Sequence, residues 1–412
     1  MQDLFILDPT NFMRIAVLDD YVSLVWAERF AEIGDFTLTV NFTKTYQTLL
    51  KNGVMLSLGP NDYVDDGYAA LTGVEEVMII EKTEVKDDDG GGTLLILTGR
   101  SLLSVLEKRV TGPALTPSGS AYDNGAATTA DAVAIQLVTD SCGATSPLSS
   151  NDVIPNLNFG QKGTTTYVVD LTIKVGQLYE KIKELADAYD FGFALRIKRV
   201  PDSFSSNGIS NFNVWFTTRL GTNRSIQPNP LTIDREPVLF SADLGTIDQL
   251  DEISSITEYY NAAYVYGKDK AVIVEDSEGP FTGWARKVLY VDASDLTGTT
   301  TSVTDKLTNR GLIALKKQKV TNAIDGVVPD DSVYKLGVHY YLGDYVQVRS
   351  RTGTKYVMQV MEYVRSFDAN GSRGYPTLTA TDKTFGGGFI GIPLPGGGSG
   401  GITLPIVPPK YI

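Results

Sequence analysis

One histidine, His339, and one cysteine, Cys142, are all that this chain offers to the commonest nucleophilic and zinc chemistries. A Ser-His or Cys-His scheme needs a base to take the proton, so every such scheme has to pass through His339. That residue sits in Val338-His339-Tyr340-Tyr341, a strand-like run in which it reads as structural. Cys142 stands in Ser141-Cys142-Gly143, beyond a helix end and with no base nearby, and reads as a partly buried small residue. A disulfide within the chain is excluded, and Cys/His zinc sites effectively fall with it.

Other chemistries leave little trace. No GxxxxGK[ST] loop is present, and Gly90–Gly92 follows Asp87–Asp89, three carboxylates that would repel a phosphate. The aspartates resemble half of a calcium loop, but the closing Glu of an EF-hand is missing. Paired carboxylates stay open, because 49 acidic residues always offer pairs and sequence spacing does not show a groove. Glu75-Glu76, Asp65-Asp66 and Asp330-Asp331 read as solvated turns. The 21 tyrosines suit a carbohydrate-binding face, and equally sheet edges and subunit interfaces. No catalytic, cofactor-binding or metal-binding residue is therefore assigned, and no cofactor is expected.

The elements that would position any site are mostly strands. Phe36–Val40 alternates apolar residues with Thr, the period of a half-buried strand. Val77–Val85 and Thr93–Thr98 read as a hairpin around the acidic, Gly-rich joint Lys86–Gly92. Further strands are expected at Phe191–Arg199, Asn213–Thr217, Ala262–Tyr266, Val272–Glu275, Ala285–Val291, Asp344–Arg349, Tyr356–Phe367 and Pro376–Ala380. Helices are expected at Arg100–Lys108, Thr129–Asp140, Val175–Tyr189 and Thr301–Lys317. The third has the clearest stripe, with Leu178, Ile182 and Leu185 at helical spacing. Thr111–Thr128 and Cys142–Asp152 read as loops, rich in Gly, Ser, Thr, Pro and Asn.

Two larger patterns stand out. Gly53–Leu58, Val77-Met78, Glu81 and Thr93-Leu94 are echoed by Gly343–Val348, Val357-Met358, Glu362 and Thr377-Leu378, each with a polar Gly turn before the last strand. The front copy has the longer connection, Gly59–Gly73. The echo is open to two readings, a duplicated β-domain or two unrelated hairpins. The second pattern is Gly386–Ile412, where glycines and prolines alternate with Ile390, Ile392, Leu394, Ile402, Leu404 and Ile406. It reads as an extended arm that docks on something, another subunit being one option.

Size and charge bound the rest. With 412 residues, and roughly 150 per domain, two or three domains are expected. The net charge of −13, without a compensating basic block, argues against gripping nucleic acid. Asp3, Asp8, Asp19 and Asp20 crowd the first twenty residues, so no leader is expected there. Apolar runs such as Val77–Ile80 are far below the roughly 18 residues of a membrane helix.

The front of the chain carries a family resemblance. Tyr21-Val22-Ser23-Leu24-Val25-Trp26, Arg29 and Gly34-Asp35-Phe36-Thr37-Leu38 resemble the "SL-x-W-x-x-R" and "G-D-F-x-L" blocks of a tail hub (baseplate hub, minor tail protein) family of long-tailed siphophages. Gly99–Leu106 with Arg109-Val110 is similar to its next block, and Tyr341-Leu342-Gly343-Asp344-Tyr345-Val346 to its late "lGD-x-V" strand. In block order the resemblance spans about residues 1–384, weakest in the middle.

The resemblance implies a homotrimer beneath the tail tube, each subunit giving two related β-barrels, so that six barrels match a sixfold tube. In the residues themselves, Trp26 and Phe36 read as core, Arg29 as paired to an acid, and Gly34-Asp35 as a register-setting turn. The expected fold is α+β, mainly β, with two β-barrel-like domains, an α+β domain between them and a Gly/Pro-rich arm. The boundaries are 1–112 and 236–384 for the barrel-like domains, 113–235 for the middle and 385–412 for the arm.

The expected function is structural and non-enzymatic: a trimeric tail-tip or baseplate hub, made in the host cytoplasm and assembled into the virion. It would join the tail tube or distal tail protein above to tip or fibre proteins below. Its lumen would pass the tape-measure protein and then DNA during ejection, with neither sequence-specific nucleic acid binding nor stable membrane insertion. Two alternatives remain open, a tail-associated cell-wall or polysaccharide hydrolase using two carboxylates and a receptor- or carbohydrate-binding tail protein.

Overall fold

A computed structural model describes residues 2–60, 73–87, 91–111, 122–123, 128–144, 149–163, 165, 168–169, 172–173, 175–199, 212–225, 237–255, 257, 259–275, 280–317, 321–329, 332–351, 353, 355–369 and 371–380. The expected arm, 385–412, lies outside the described residues, as do Asp65-Asp66, Asp330-Asp331 and most of the connection 59–73.

The front holds β1 (Leu4–Leu7), β2 (Arg14–Leu18), β3 (Ser23–Arg29), β4 (Asp35–Asn41), α1 (Lys44–Leu49), β5 (Met55–Pro60), β6 (Val74–Asp87) and β7 (Thr93–Ser101). Next come β8 (Tyr122–Asp123), β9 (Thr128–Thr129), α2 (Ala130–Cys142), β10 (Leu157–Lys162), β11 (Val168–Val169) and β12 (Thr172–Ile173), followed by α3 (Leu178–Tyr189), β13 (Gly192–Arg199) and β14 (Phe212–Arg219). The rest is β15 (Leu239–Ser241), β16 (Asp248–Ser255), β17 (Ala262–Gly267), β18 (Ala271–Glu275), β19 (Val288–Ala293) and α4 (Thr301–Lys317), then β20 (Thr321–Val327), β21 (Tyr345–Arg349), β22 (Lys355–Asp368) and β23 (Gly371–Ala380).

Local sequence explains most of these. In β4, Phe36, Leu38 and Val40 are buried while Thr37 and Asn41 face out, as alternation requires. In α3, Leu178, Ile182, Leu185, Ala186 and Tyr189 form the buried stripe, and Asp190 ends the helix in the left-handed region. The short α1 rests on its cap, where Thr43 accepts from the Tyr46 backbone N–H.

Several expected elements differ, among them the loop expected at Thr111–Thr128, which holds β8 and the first residue of β9. Arg100 and Ser101 stay in β7, and only Leu102–Lys108 turns, as a 3-10 helix. The strand expected from Ala285 begins at Val288, after a 3-10 turn at Gly283–Ala285.

Among the described residues sixteen strands join in one sheet, ordered β10-β14-β13-β6-β7-β4-β3-β22-β23-β20-β16, with β5, β1 and β2 leaving from β6 and β21 and β15 from β22. The expected β-barrel-like domains are therefore a misreading: the chain is mixed α+β and mainly β, but the path is open at both ends. The physical reason is the use of strand edges. One edge of β3 pairs with β4, and the other pairs with β22 (Trp26 opposite Arg365, Ala27 opposite Val364), so neither remains to close a ring.

The internal echo has a structural counterpart. In each half a long strand of 14 residues, β6 or β22, pairs with the strand before it. Leu56 lies opposite Met78, and Val346 opposite Met358. Each long strand also bulges against its successor, between Ile80 and Lys82 and between Val360 and Glu362. Along these ladders Thr98 matches Thr377, so the third strand of the echo is displaced from the Thr93-Leu94 alignment.

The described residues form four apolar cores. Trp26, Phe36, Met78 and Leu97 fill the front one, which also takes Phe367 from β22. Helices α2 and α3 cover β13 and β14 in a second, and Phe240, Tyr340, Val346 and Met358 make a third. The fourth lies between α4 and the separate sheet β18-β17-β19. No helix among the described residues is long and apolar enough to cross a membrane.

Candidate functional site: the charged junction around Phe30

Strand β3 delivers its last residues to the point where the three parts of the long sheet meet. Immediately after it, the Phe30 N–H donates to Met361 O at 2.8 Å, and Phe30 O accepts from the Phe193 N–H at 3.1 Å. One residue is thus tied to β22 and to β13. Its buried ring needs glycines beside it: a Cβ on Gly192 would lie 2.3 Å from the ring, and one on Gly343 only 2.1 Å. The Arg219 guanidinium caps the same ring at 5.1 Å from its centroid.

Charged residues surround this contact. Arg29 Nε donates to Glu362 Oε2 and its Nη1 to Asp35 Oδ2, both at 2.5 Å, with Ile33 O as a third acceptor. The pairing expected for Arg29 is therefore double, and it links the front motif to the late strand. Arg365 pairs with buried Glu28, and Arg224 with buried Asp344. Asp344 also accepts from the backbone N–H groups of Thr222 and Tyr341, which fixes the "GD" turn.

Arg196 meets Glu76 at 2.6 Å, close enough for an ion pair but off the line of a hydrogen bond. A second knot lies alongside on β6, where fully buried Glu75 pairs with Arg14 at 3.0 Å and Arg199 at 2.7 Å and accepts from Ser57 Oγ.

Burial is expensive for such groups, and pairing offsets it only in part. Burial pushes the Glu76 carboxyl above its ordinary range, with Arg196 opposing the rise and Glu28 adding to it. Asp344 is pushed up by burial too, against the pull of Arg224 and the Thr222 N–H. Arg219 is pushed down, by burial first and by Arg196 second. Except for Arg29–Asp35, these ion pairs join distant parts of the chain, so the network favours one arrangement of those parts.

Residues singled out by the sequence fall elsewhere. His339 lies in a turn rather than a strand, where its Nδ1 accepts from the Lys335 N–H at 3.1 Å. Cys142 ends α2 fully buried, and burial pushes its thiol up to about 11, against a smaller pull from Arg109. Glu75-Glu76 is not a solvated turn: both residues are buried on β6. The available signal was their place inside Val74–Ile80, an otherwise apolar strand. Among the described residues no group of three or more His, Cys, Asp or Glu is placed to hold a metal.

Comparison with known proteins adds the following. A family model described as "Siphovirus ReqiPepy6 Gp37-like protein" matches residues 3–378. Among solved structures, the 43 kDa tail protein of prophage MuSo2 from Shewanella oneidensis is 12% identical, over 91% of this chain and 97% of that one, with a TM-score of 0.50. The tail protein from Neisseria meningitidis MC58 is also 12% identical, over 92% and 96%, at 0.49. Prophage tail protein gp18 from Listeria monocytogenes EGD-e is 11% identical, over 93% and 95%, at 0.49. No curated protein matches significantly.

Proposed function

The chain belongs to the Siphovirus ReqiPepy6 Gp37-like protein family, its fold is that of a prophage tail protein, and on that premise we propose that it is a structural component of the phage tail or baseplate. The observation that carries this is the reach of the family match, residues 3–378, across every strand of the joined sheet. The buried junction fits such a role. A part that only holds others in place needs its segments locked, and buried ion pairs between distant segments do this at the expense of raw stability.

More finely, the protein is proposed to be a non-enzymatic homotrimeric hub at the tail tip. It joins the tube or distal tail protein to tip or fibre proteins and lines the passage for the tape-measure protein and DNA. The net charge of −13 supports that passage, since an acidic lumen does not hold phosphates. The segments 1–112, 113–235, 236–384 and 385–412 are proposed as its structural units.

The test is immunogold electron microscopy of virions carrying an epitope-tagged copy, with light scattering of the purified protein. Label at the tail tip and a mass of three chains are expected. Label on the capsid, or tails that lack the protein, would overturn the reading.

A further inference from the structure

Strands β13 and β14 present two unlike faces. Phe193, Leu195, Ile197, Val214 and Phe216 belong to the second core, under α2 and α3. The alternate residues make the opposite face, which carries Arg196, Trp215, Thr217 and Arg219. In the register Arg196 lies opposite Trp215, Thr217 opposite Ala194, and Arg219 opposite Gly192. This face meets the charged junction, since Arg219 caps the Phe30 ring and Arg196 pairs with Glu76. Burial first, and the charge of Arg196 second, push the Arg219 guanidinium down, so the two cations are near neighbours.

Polar atoms on this face lack partners. Trp215 Nε1, Thr217 Oγ1, Arg219 Nε and Nη2, and Arg196 Nε and Nη1 are buried without a hydrogen bond among the described residues. Every one of them can donate. Arg196 Nε has Glu76 Oε2 beside it at 2.6 Å, but off the bonding line. The Phe30 ring covers the flat face of the Arg219 guanidinium, whereas its N–H groups lie in the plane and still need an acceptor. Beside Thr217 in the register stand Gly160 and Ala194, neither of which has a polar side chain to meet its hydroxyl. Folded proteins bury few orphaned groups, so a patch of donors on one face calls for an acceptor from outside the chain.

Charge identifies that acceptor. Three of the four arginines in this part of the junction have a carboxylate: Arg196 has Glu76, Arg365 has Glu28 and Arg224 has Asp344. Arg219, only 4% exposed, has none among the described residues. Arg29 with Asp35 and Glu362 forms a separate, partly exposed set. Lys162, next to Arg219 in the register, adds positive charge and no counter-ion. One guanidinium charge is left over. Water can satisfy N–H groups but does not cancel a buried charge, which is expensive to leave uncompensated. A dianion overshoots, and Asp344, Glu28 and Glu76 are near enough to Arg219 to repel it.

We propose that Arg219, with Thr217 and Arg196, binds one small monovalent anion of the halide class as the counter-ion that completes the junction. Arg219 Nε and Nη2, Thr217 Oγ1 and Arg196 Nη1 are its donors. Because the unfolded chain has no such site, the halide stabilises the folded protein by mass action. The proposal does not depend on the hub reading.

The experiment uses the full wild-type chain in sodium chloride, bromide or gluconate at one ionic strength. Melting temperature should rise with either halide and saturate, with no such rise in gluconate. Crystals grown in bromide should show an anomalous peak within hydrogen-bonding distance of Arg219 Nη2 and Thr217 Oγ1. Arg219→Met should lose the halide-dependent shift. Thr217→Val, which keeps the shape of the side chain, should weaken halide binding by about 10-fold.

A rise that is alike in all three salts is screening, and overturns the proposal. Water at Arg219 in bromide crystals, with no anomalous peak, overturns it as well. A peak without halide-dependent stability marks an adventitious ion only, and has the same consequence. If Arg219→Met does not fold, the wild-type melts and the bromide peak decide. None of these outcomes bears on the tail or baseplate reading.

Discussion

The ring of Phe30 fills the space in which a side chain on Gly343 would begin, 2.1 Å from where its Cβ would stand. Gly343 also has φ +89°, a conformation unfavourable to any L side chain. Gly53 has the same φ of +89° with nothing within 4 Å of its virtual Cβ. The two positions separate backbone strain from crowding. Gly53→Ala should cost about 1–2 kcal/mol, and Gly343→Ala about 2–4 kcal/mol, in urea unfolding. Equal losses would show that the Phe30 contact is not tight.

The buried carboxyl of Glu76 gives a pH signature. Burial raises its folded value above the ordinary 4.5, with Arg196 opposing. A carboxyl shifted this way stabilises the fold fully below its unfolded value and loses that contribution as pH rises through the folded one. Relative to wild type, Glu76→Gln should therefore gain stability as pH is raised above about 4.5 and through the folded value, read from thermal melts at half-unit steps. A constant difference across that range would contradict the burial of the charge.

Removing a partner from the junction should be worse than removing the pair. Arg196→Met leaves Glu76 buried beside Arg219 and Glu28 with its closest cation gone, and should cost about 3–5 kcal/mol. Adding Glu76→Leu should restore part of that loss, as a double-mutant cycle in urea would reveal. If the double variant is as unstable as the sum of the singles, the two groups are not coupled.

Cys142 should be silent in the native protein. Its thiol is buried and pushed up to about 11, so little thiolate exists at pH 8 and none is reachable. Ellman's reagent should give no fast signal until denaturant is added, and then one thiol per chain. A fast native signal would place the residue at the surface.

Tryptophan emission should resolve into distinct environments. Trp26 is fully buried and Trp284 fully exposed. Iodide should quench a component that disappears in Trp284→Phe, while that variant unfolds within about 0.5 kcal/mol of wild type. Loss of the same component in Trp26→Phe would reverse the assignment.

How much of this was legible in the sequence depended on range. Alternation exposed β4, and a 3.6-residue stripe exposed α3, because both signals lie within a few adjacent residues. Arg29 could be read as paired, since a charge among core residues has to be neutralised, but Glu362 lies 333 positions away and could not be named. The same distance explains the barrel error. Whether β3 offers its edge to β2 or to β22 is decided by backbone groups that look alike at every residue. An acidic pair two residues after Gly73 looks like a turn, and the arginines that permit its burial sit on β2 and β13.

The pairing of β3 with β22 also sets a clock. Trp26 lies opposite Arg365, so the front sheet keeps one bare edge until nearly the whole chain has been synthesised. At about 5–20 residues per second, that edge waits on the order of 20–70 s on the ribosome. Contacts of such sequence separation make for slow folding, and an unpaired edge invites a neighbouring nascent chain. Polysomes crowded with copies of this message are where misassembly would begin, and a chaperone binding the first 110 residues would protect them most.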